Sequence, residues 1–107
     1  MNIEVLTLML LEKGHAVDAV TRGVEAIEIV KQRYALAVVN EAKMYQIIFL
    51  DYSMPDIDGP QVARAIRTFF NENWDQGIKE PLIFCITAYT EATFKREAFL
   101  AGMDRFL

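Results

Sequence analysis

Apolar positions change period several times along the chain, and each change marks an element. From Ile3 to Lys13 apolar residues cover most of a helical surface, and Gly14 supplies a C-terminal stop. "HAVDAV", opening at His15, reads as a short strand. A second helix begins around Gly23, with Val24, Ile27 and Val30 at helical spacing. The following "YALAVVNEAKMY" leaves the end of that helix open between an extension and a loop. "QIIFL" is a continuous β-branched and aromatic run, the pattern of a strand covered on both faces. A helix from about Pro60 follows, with Asp58 or Gly59 as its cap and Val62, Ile66 and Phe69 or Phe70 as its inner stripe. "NENWDQGIKE" is a polar loop and "PLIFCI" a second buried strand. Thr90 can cap a last helix to about Ala101, with Phe94, Ala98 and Ala101 on one face; Gly102 stops it and "DRFL" starts a strand.

The order α-β-α-β-α-β-α-(β) predicts an α/β domain, a parallel sheet with helices on both faces. Bulk properties agree with one domain: 107 residues, 53% hydrophobic and 24% charged. A net charge of −4 offers no general basic footprint for nucleic acid or an anionic membrane. No run reaches the ~18 uninterrupted apolar residues of a membrane span. The apolar N-terminal stretch has neither the basic flank nor the cleavage site of a signal peptide. The single cysteine, Cys85, forms no internal disulfide and reads as a small buried hydrophobe. The single histidine, His15, rules out an internal multi-histidine metal site and reads as an exposed turn residue.

In open parallel sheets ligands bind at the carboxyl ends of the strands. Asp51 closes "QIIFL" and Thr87 closes "PLIFCI". A carboxylate there can hold a hard cation or act as a nucleophile, and it can equally cap a turn; spacing alone leaves both open. Asp56 reads as a solvated loop residue, Asp58 as a cap and Pro55 as a stiffener of the loop. Trp74, in the polar loop, either covers a core edge or touches a partner.

"FLDYSMPDIDG" resembles the phosphoacceptor segment of response-regulator receiver domains. "GHAVDAVTRGVEAIEIV", "PLIFCITAYT" and "AFLAGMDRFL" are similar, in order, to that family's second strand and helix, its fourth strand, and the end of its fourth helix with the start of its fifth strand. The longish "NENWDQGIKE" looks most like receivers attached to hybrid histidine kinases. The resemblance implies a flavodoxin-like doubly wound parallel sheet over residues 1–107, lacking the first strand and most of the fifth. It implies a cytoplasmic two-component phosphorelay module rather than an enzyme. Asp51 would accept a phosphoryl group from a phosphohistidine on a histidine kinase or a histidine phosphotransfer protein. Mg2+ would be held by Asp51 and the backbone carbonyl of Ser53. Thr87 would be the switch hydroxyl, Ala88 the small residue that keeps Asp51 accessible, and Phe106 the switch aromatic.

Receivers also carry an acidic pair at the end of the first strand and a lysine after the fifth-strand aromatic, and neither is assigned to a residue here. The expectation is therefore a fragment of a longer coding sequence, or a truncated gene model, that folds poorly alone and whose Mg2+ binding is weakened or lost. Two other readings follow. A degenerate receiver would act only as a protein-interaction module. A haloacid-dehalogenase-like phosphatase would need a second aspartate two residues after Asp51, where Ser53 stands.

Overall fold

A computed structural model of the protein describes residues 14–15, 18–86 and 92–106. The expected helix over Ile3 to Lys13, the Thr90 cap, Thr87 and Ala88 lie outside the described residues. Three helices and three strands follow in chain order: α1 (Gly23–Val38), β1 (Ile47–Asp51), α2 (Gly59–Glu72), β2 (Leu82–Ile86), α3 (Ala92–Leu100) and β3 (Arg105–Phe106).

Helix α1 resolves the open end of the second helix. The chain turns at Asn40, whose φ of +59° is left-handed, and Asn40 and Glu41 donate back to the carbonyls of Ala37 and Leu36. That pair of bonds is a Schellman stop, with asparagine replacing the usual glycine. The inner face of α1 is Gly23, Ala26, Val30 and Tyr34, rather than Val24, Ile27 and Val30; Val24 is 52% exposed and Ile27 half-buried. The rotation follows from Gly23, where an added Cβ would lie 2.5 Å from Ile57 Cγ1. Only a face without a side chain at that position can turn inward.

Helix α2 starts as expected. Asp58 accepts from Gln61 N–H at 2.8 Å and Gln61 Oε1 accepts from Asp58 N–H at 2.9 Å, a reciprocal capping box. Val62, Ala63, Ile66 and Phe70 are its buried stripe and Phe69 is half-buried. Tyr34 meets both Phe69 and Phe70 edge-on, at centroid distances of 4.9 and 5.5 Å, which seals α1 against α2. The polar loop contains one 3₁₀ turn, Trp74–Gln76, and Trp74 is 80% exposed, so it covers no core edge.

The sheet is parallel with strand order β1-β2-β3. Pairing of Ile48 with Ile83 and of Leu50 with Cys85 puts these four on one face, where buried residues of all three helices join them in a single core. The opposite face carries Ile47, Phe49, Leu82 and Phe84, with Ile47 and Leu82 exposed and the two phenylalanines edge-on at 5.4 Å. The expected cover on both faces of β1 is therefore incomplete, and among the described residues β1 stands at one edge of the sheet.

Of the expected strand "HAVDAV", residues 16–17 lie outside the described residues, and His15 and residues 18–20 are not in a strand. A strand exists through its ladder, and among the described residues none lies alongside. Side chains hold the segment instead: Asp18 accepts from Tyr45 O–H at 2.6 Å and Val20 packs on the core.

Arg67 locks the amino edge of the sheet to α2. Its guanidinium donates to the carbonyls of Gly102 and Pro81 at 3.0 and 2.9 Å and to Asp104 Oδ2 at 2.7 Å. Asp104 Oδ2 also accepts from Ile83 N–H at 2.8 Å, which joins β2 to the turn before β3. Gly102 has a φ of +104° and sits where a Cβ would be 2.5 Å from Arg67 Cγ, so the α3 stop and the clamp require the same glycine. Arg67→Leu is expected to lower unfolding free energy by about 2 kcal/mol in urea titration. That is below the range for fully buried pairs because water reaches part of Asp104.

Candidate functional site

The carboxyl edge of the sheet is assembled around Asp51 and Tyr52. Asp51 pairs with Ile86 in the ladder, and Tyr52 N–H extends the pairing by donating to Ile86 O at 3.1 Å. Tyr52 O accepts from Gly59 N–H at 2.8 Å, so the first residue of α2 is tied to the strand end. The chain leaves the strand through Ser53, which is exposed, and returns within six residues to the Asp58 cap.

Asp51 is half-buried, and burial raises its carboxyl above the ordinary aspartate value. Among the described residues no lysine or arginine forms an ion pair with it. Its charge is felt next door: burial first, and the Asp51 carboxylate second, push the Cys85 thiol up to about 11. Cys85 is thus a buried, protonated thiol, in line with its reading as a small hydrophobe. A half-buried carboxylate that no described lysine or arginine pairs with is an acceptor site for a cation or an electrophile.

Asp56 is an exposed loop residue, as expected, and carries a capping role besides. Its two carboxylate oxygens accept from Gly23 N–H at 2.8 Å and Val24 N–H at 2.9 Å, capping α1 from 33 residues away where Arg22 offers no side-chain cap. Those backbone donors, led by Val24 and Gly23, hold its carboxyl down to about 2. A lowered carboxyl stabilises the fold fully above the unfolded value near 4, and the contribution is lost as pH falls through about 2. Asp56→Ala is expected to speed hydrogen exchange at the amides of Gly23 to Ala26, with little change at α2, measured by mass spectrometry.

Of the sequence-derived site residues, Asp51 and Ser53 stand together at the sheet edge. Phe106 lies on β3 beside Cys85, half-buried, with the Lys95 ammonium 5.8 Å from its ring centre. His15 is exposed, as expected. Among the described residues no group of three His, Cys, Asp or Glu side chains could hold a metal. One carboxylate and a neighbouring carbonyl fit a Mg2+ that keeps water and phosphoryl oxygens in its shell, and do not fit an all-protein cage.

Residues 1–107 match the response regulator receiver domain family, and the chain belongs to it: a receiver domain of two-component signalling. The chain is 36% identical over 109 residues to hybrid signal transduction histidine kinase L of Dictyostelium discoideum, a match covering 99% of this chain and 6% of that protein. It is 38% identical over 79 residues to probable histidine kinase 1 of Oryza sativa subsp. indica, covering 73% of this chain and 7% of that protein. Among solved structures it resembles the receiver domain of the histidine kinase CKI1 from Arabidopsis thaliana complexed with Mg2+ and BeF3−. That match has 29% identity and a TM-score of 0.79, over 97% of this chain and 70% of that chain. The fold is accordingly flavodoxin-like α/β, and the haloacid-dehalogenase-like reading has no support. The chain spans only 6–7% of the length of those two kinases. No helix among the described residues is long and apolar enough to cross a membrane.

Proposed function

We propose that this receiver domain is a phosphoacceptor in a phosphorelay and that Asp51 is the residue modified. The observation that carries the reading is the half-buried Asp51 carboxylate, without a cation partner among the described residues, at the carboxyl edge of a parallel sheet. A carboxylate oxygen of Asp51 attacks phosphorus of a phosphohistidine. The P–N bond breaks, its electron pair returns to the imidazole, and an acyl phosphate forms on Asp51. Mg2+, when bound, supplies charge neutralisation between carboxylate and phosphoryl oxygens, and Asp51 with the Ser53 carbonyl would hold it. Burial of Asp51 weakens its competing hydration and keeps the attacking oxygen ready for an electrophile.

Thr87 would then bond a phosphoryl oxygen, Ala88 would leave the approach open, and Phe106 would follow Thr87 inward from its half-buried position. The donor is a histidine kinase or a histidine phosphotransfer protein, consistent with the histidine kinases among the relatives. The setting is cytoplasmic, and the domain serves as a switch rather than as an enzyme in its own right. The test is incubation with a phosphorylated histidine donor and Mg2+, reading acid-stable, hydroxylamine-sensitive label on the chain. The single carboxylate at the described site favours one second reading, a degenerate receiver that only binds partners. An unlabelled chain that still binds the donor protein supports that reading instead.

A further inference from the structure

Tyr52 is bound to three elements at once. Its backbone joins the carboxyl end of β2 and the first residue of α2, through Ile86 O and Gly59 N–H. Its side chain is buried and reaches α3, where the hydroxyl donates to Glu97 Oε2 at 2.7 Å and the ring meets Phe94 edge-on at 5.4 Å. Phe94 and Glu97 are three apart, so both contacts fall on one face of the helix. Among the described residues helix α3 fully buries only Ala98, with Phe94 partly buried against the core, and the Tyr52 contacts add to that attachment.

We infer that Tyr52 is a positioning residue that couples α3 to the state of Asp51, its covalent neighbour, through the Glu97 hydrogen bond and the Phe94 contact. The inference rests on the reading of Asp51 as the phosphoacceptor. A displacement at the end of β1 on modification moves the Tyr52 Cα, and a side chain fixed at both ends passes that displacement to the helix.

The test compares hydrogen exchange over residues 92–100 with and without beryllium fluoride and Mg2+ on the full chain, with 19F NMR of bound fluoroberyllate reporting loading independently. In the wild type, loading is expected to change α3 exchange by about fivefold or more. Tyr52→Phe, which keeps the ring, and Glu97→Leu should each load normally yet lose most of that change. Glu97→Gln, which keeps an acceptor, should retain it, and the Tyr52→Phe, Glu97→Leu double variant should lose no more than either single. A full α3 response in loaded Tyr52→Phe, additive losses in the double variant, or a silent α3 in loaded wild type overturns the coupling alone. Absence of bound fluoroberyllate in the wild type overturns the reading of Asp51 and the coupling with it.

Discussion

Asp51→Asn is expected to reduce labelling from a phosphohistidine donor to background and, at the same time, to raise the urea midpoint at neutral pH. The first effect follows from chemistry: the amide has no carboxylate oxygen to attack phosphorus, and no neighbouring residue in the loop replaces it. Asp56 is engaged at the α1 N-terminus and Asp58 at the start of α2. The second effect follows from burial. A carboxyl raised above its unfolded value costs stability once ionised in the fold. The cost sets in as pH rises past the unfolded value and is complete above the folded one. Replacing it by a neutral isostere removes that cost. The opposite signs matter, since a variant that merely unfolded would lose label and stability together. Label that persists in Asp51→Asn removes Asp51 from its role. A midpoint that falls shows that the carboxylate is stabilised by contacts stronger than its burial cost.

Gly59→Ala is expected to be the most damaging single methyl in the domain. A Cβ at Gly59 would overlap the backbone carbonyl of Asp51, with Met103 Cε and Tyr52 Cα at 3.0 and 3.1 Å on either side. The obstacle is backbone, so no rotamer change relieves it. Helix α2 must retreat from the strand end, stretching the Gly59 to Tyr52 hydrogen bond. The expected loss is about 3 kcal/mol of unfolding free energy, at the upper end of overpacking costs. Phosphoryl uptake should also slow by about tenfold, because the strand end that aims Asp51 shifts with the helix. Urea titration and single-turnover labelling read the two effects. Unchanged stability would show that the strand end yields more readily than its packing suggests.

Much of the fold was legible because the signals are local. The cap at Asp58 or Gly59, the stripe of α2, the stop at Gly102 and the apolar strands all depend on residues within a few positions of each other. Asp51 was legible for the same reason, as a charge closing an apolar run. Tyr52 and Glu97 were not, because a hydrogen bond across 45 positions leaves no trace in periodicity. The capping role of the exposed Asp56 was not legible because its partners, two backbone amides, have no side-chain identity to read.

By itself, then, the sequence determined the order of the helices and strands from Gly23 onward, the parallel sheet and the aspartate at its carboxyl edge, since hydrophobic period and turn chemistry are properties of neighbouring residues. The tertiary structure decided which face of α1 turns inward, which aspartate caps and which stays available, that residues 18–20 are held by side chains rather than in a strand, and that Tyr52 binds α3. Each of those depends on groups that only folding brings together: a glycine pressed on Ile57, amides left bare at a helix start, a strand edge without a neighbour among the described residues, and a phenol within reach of Glu97.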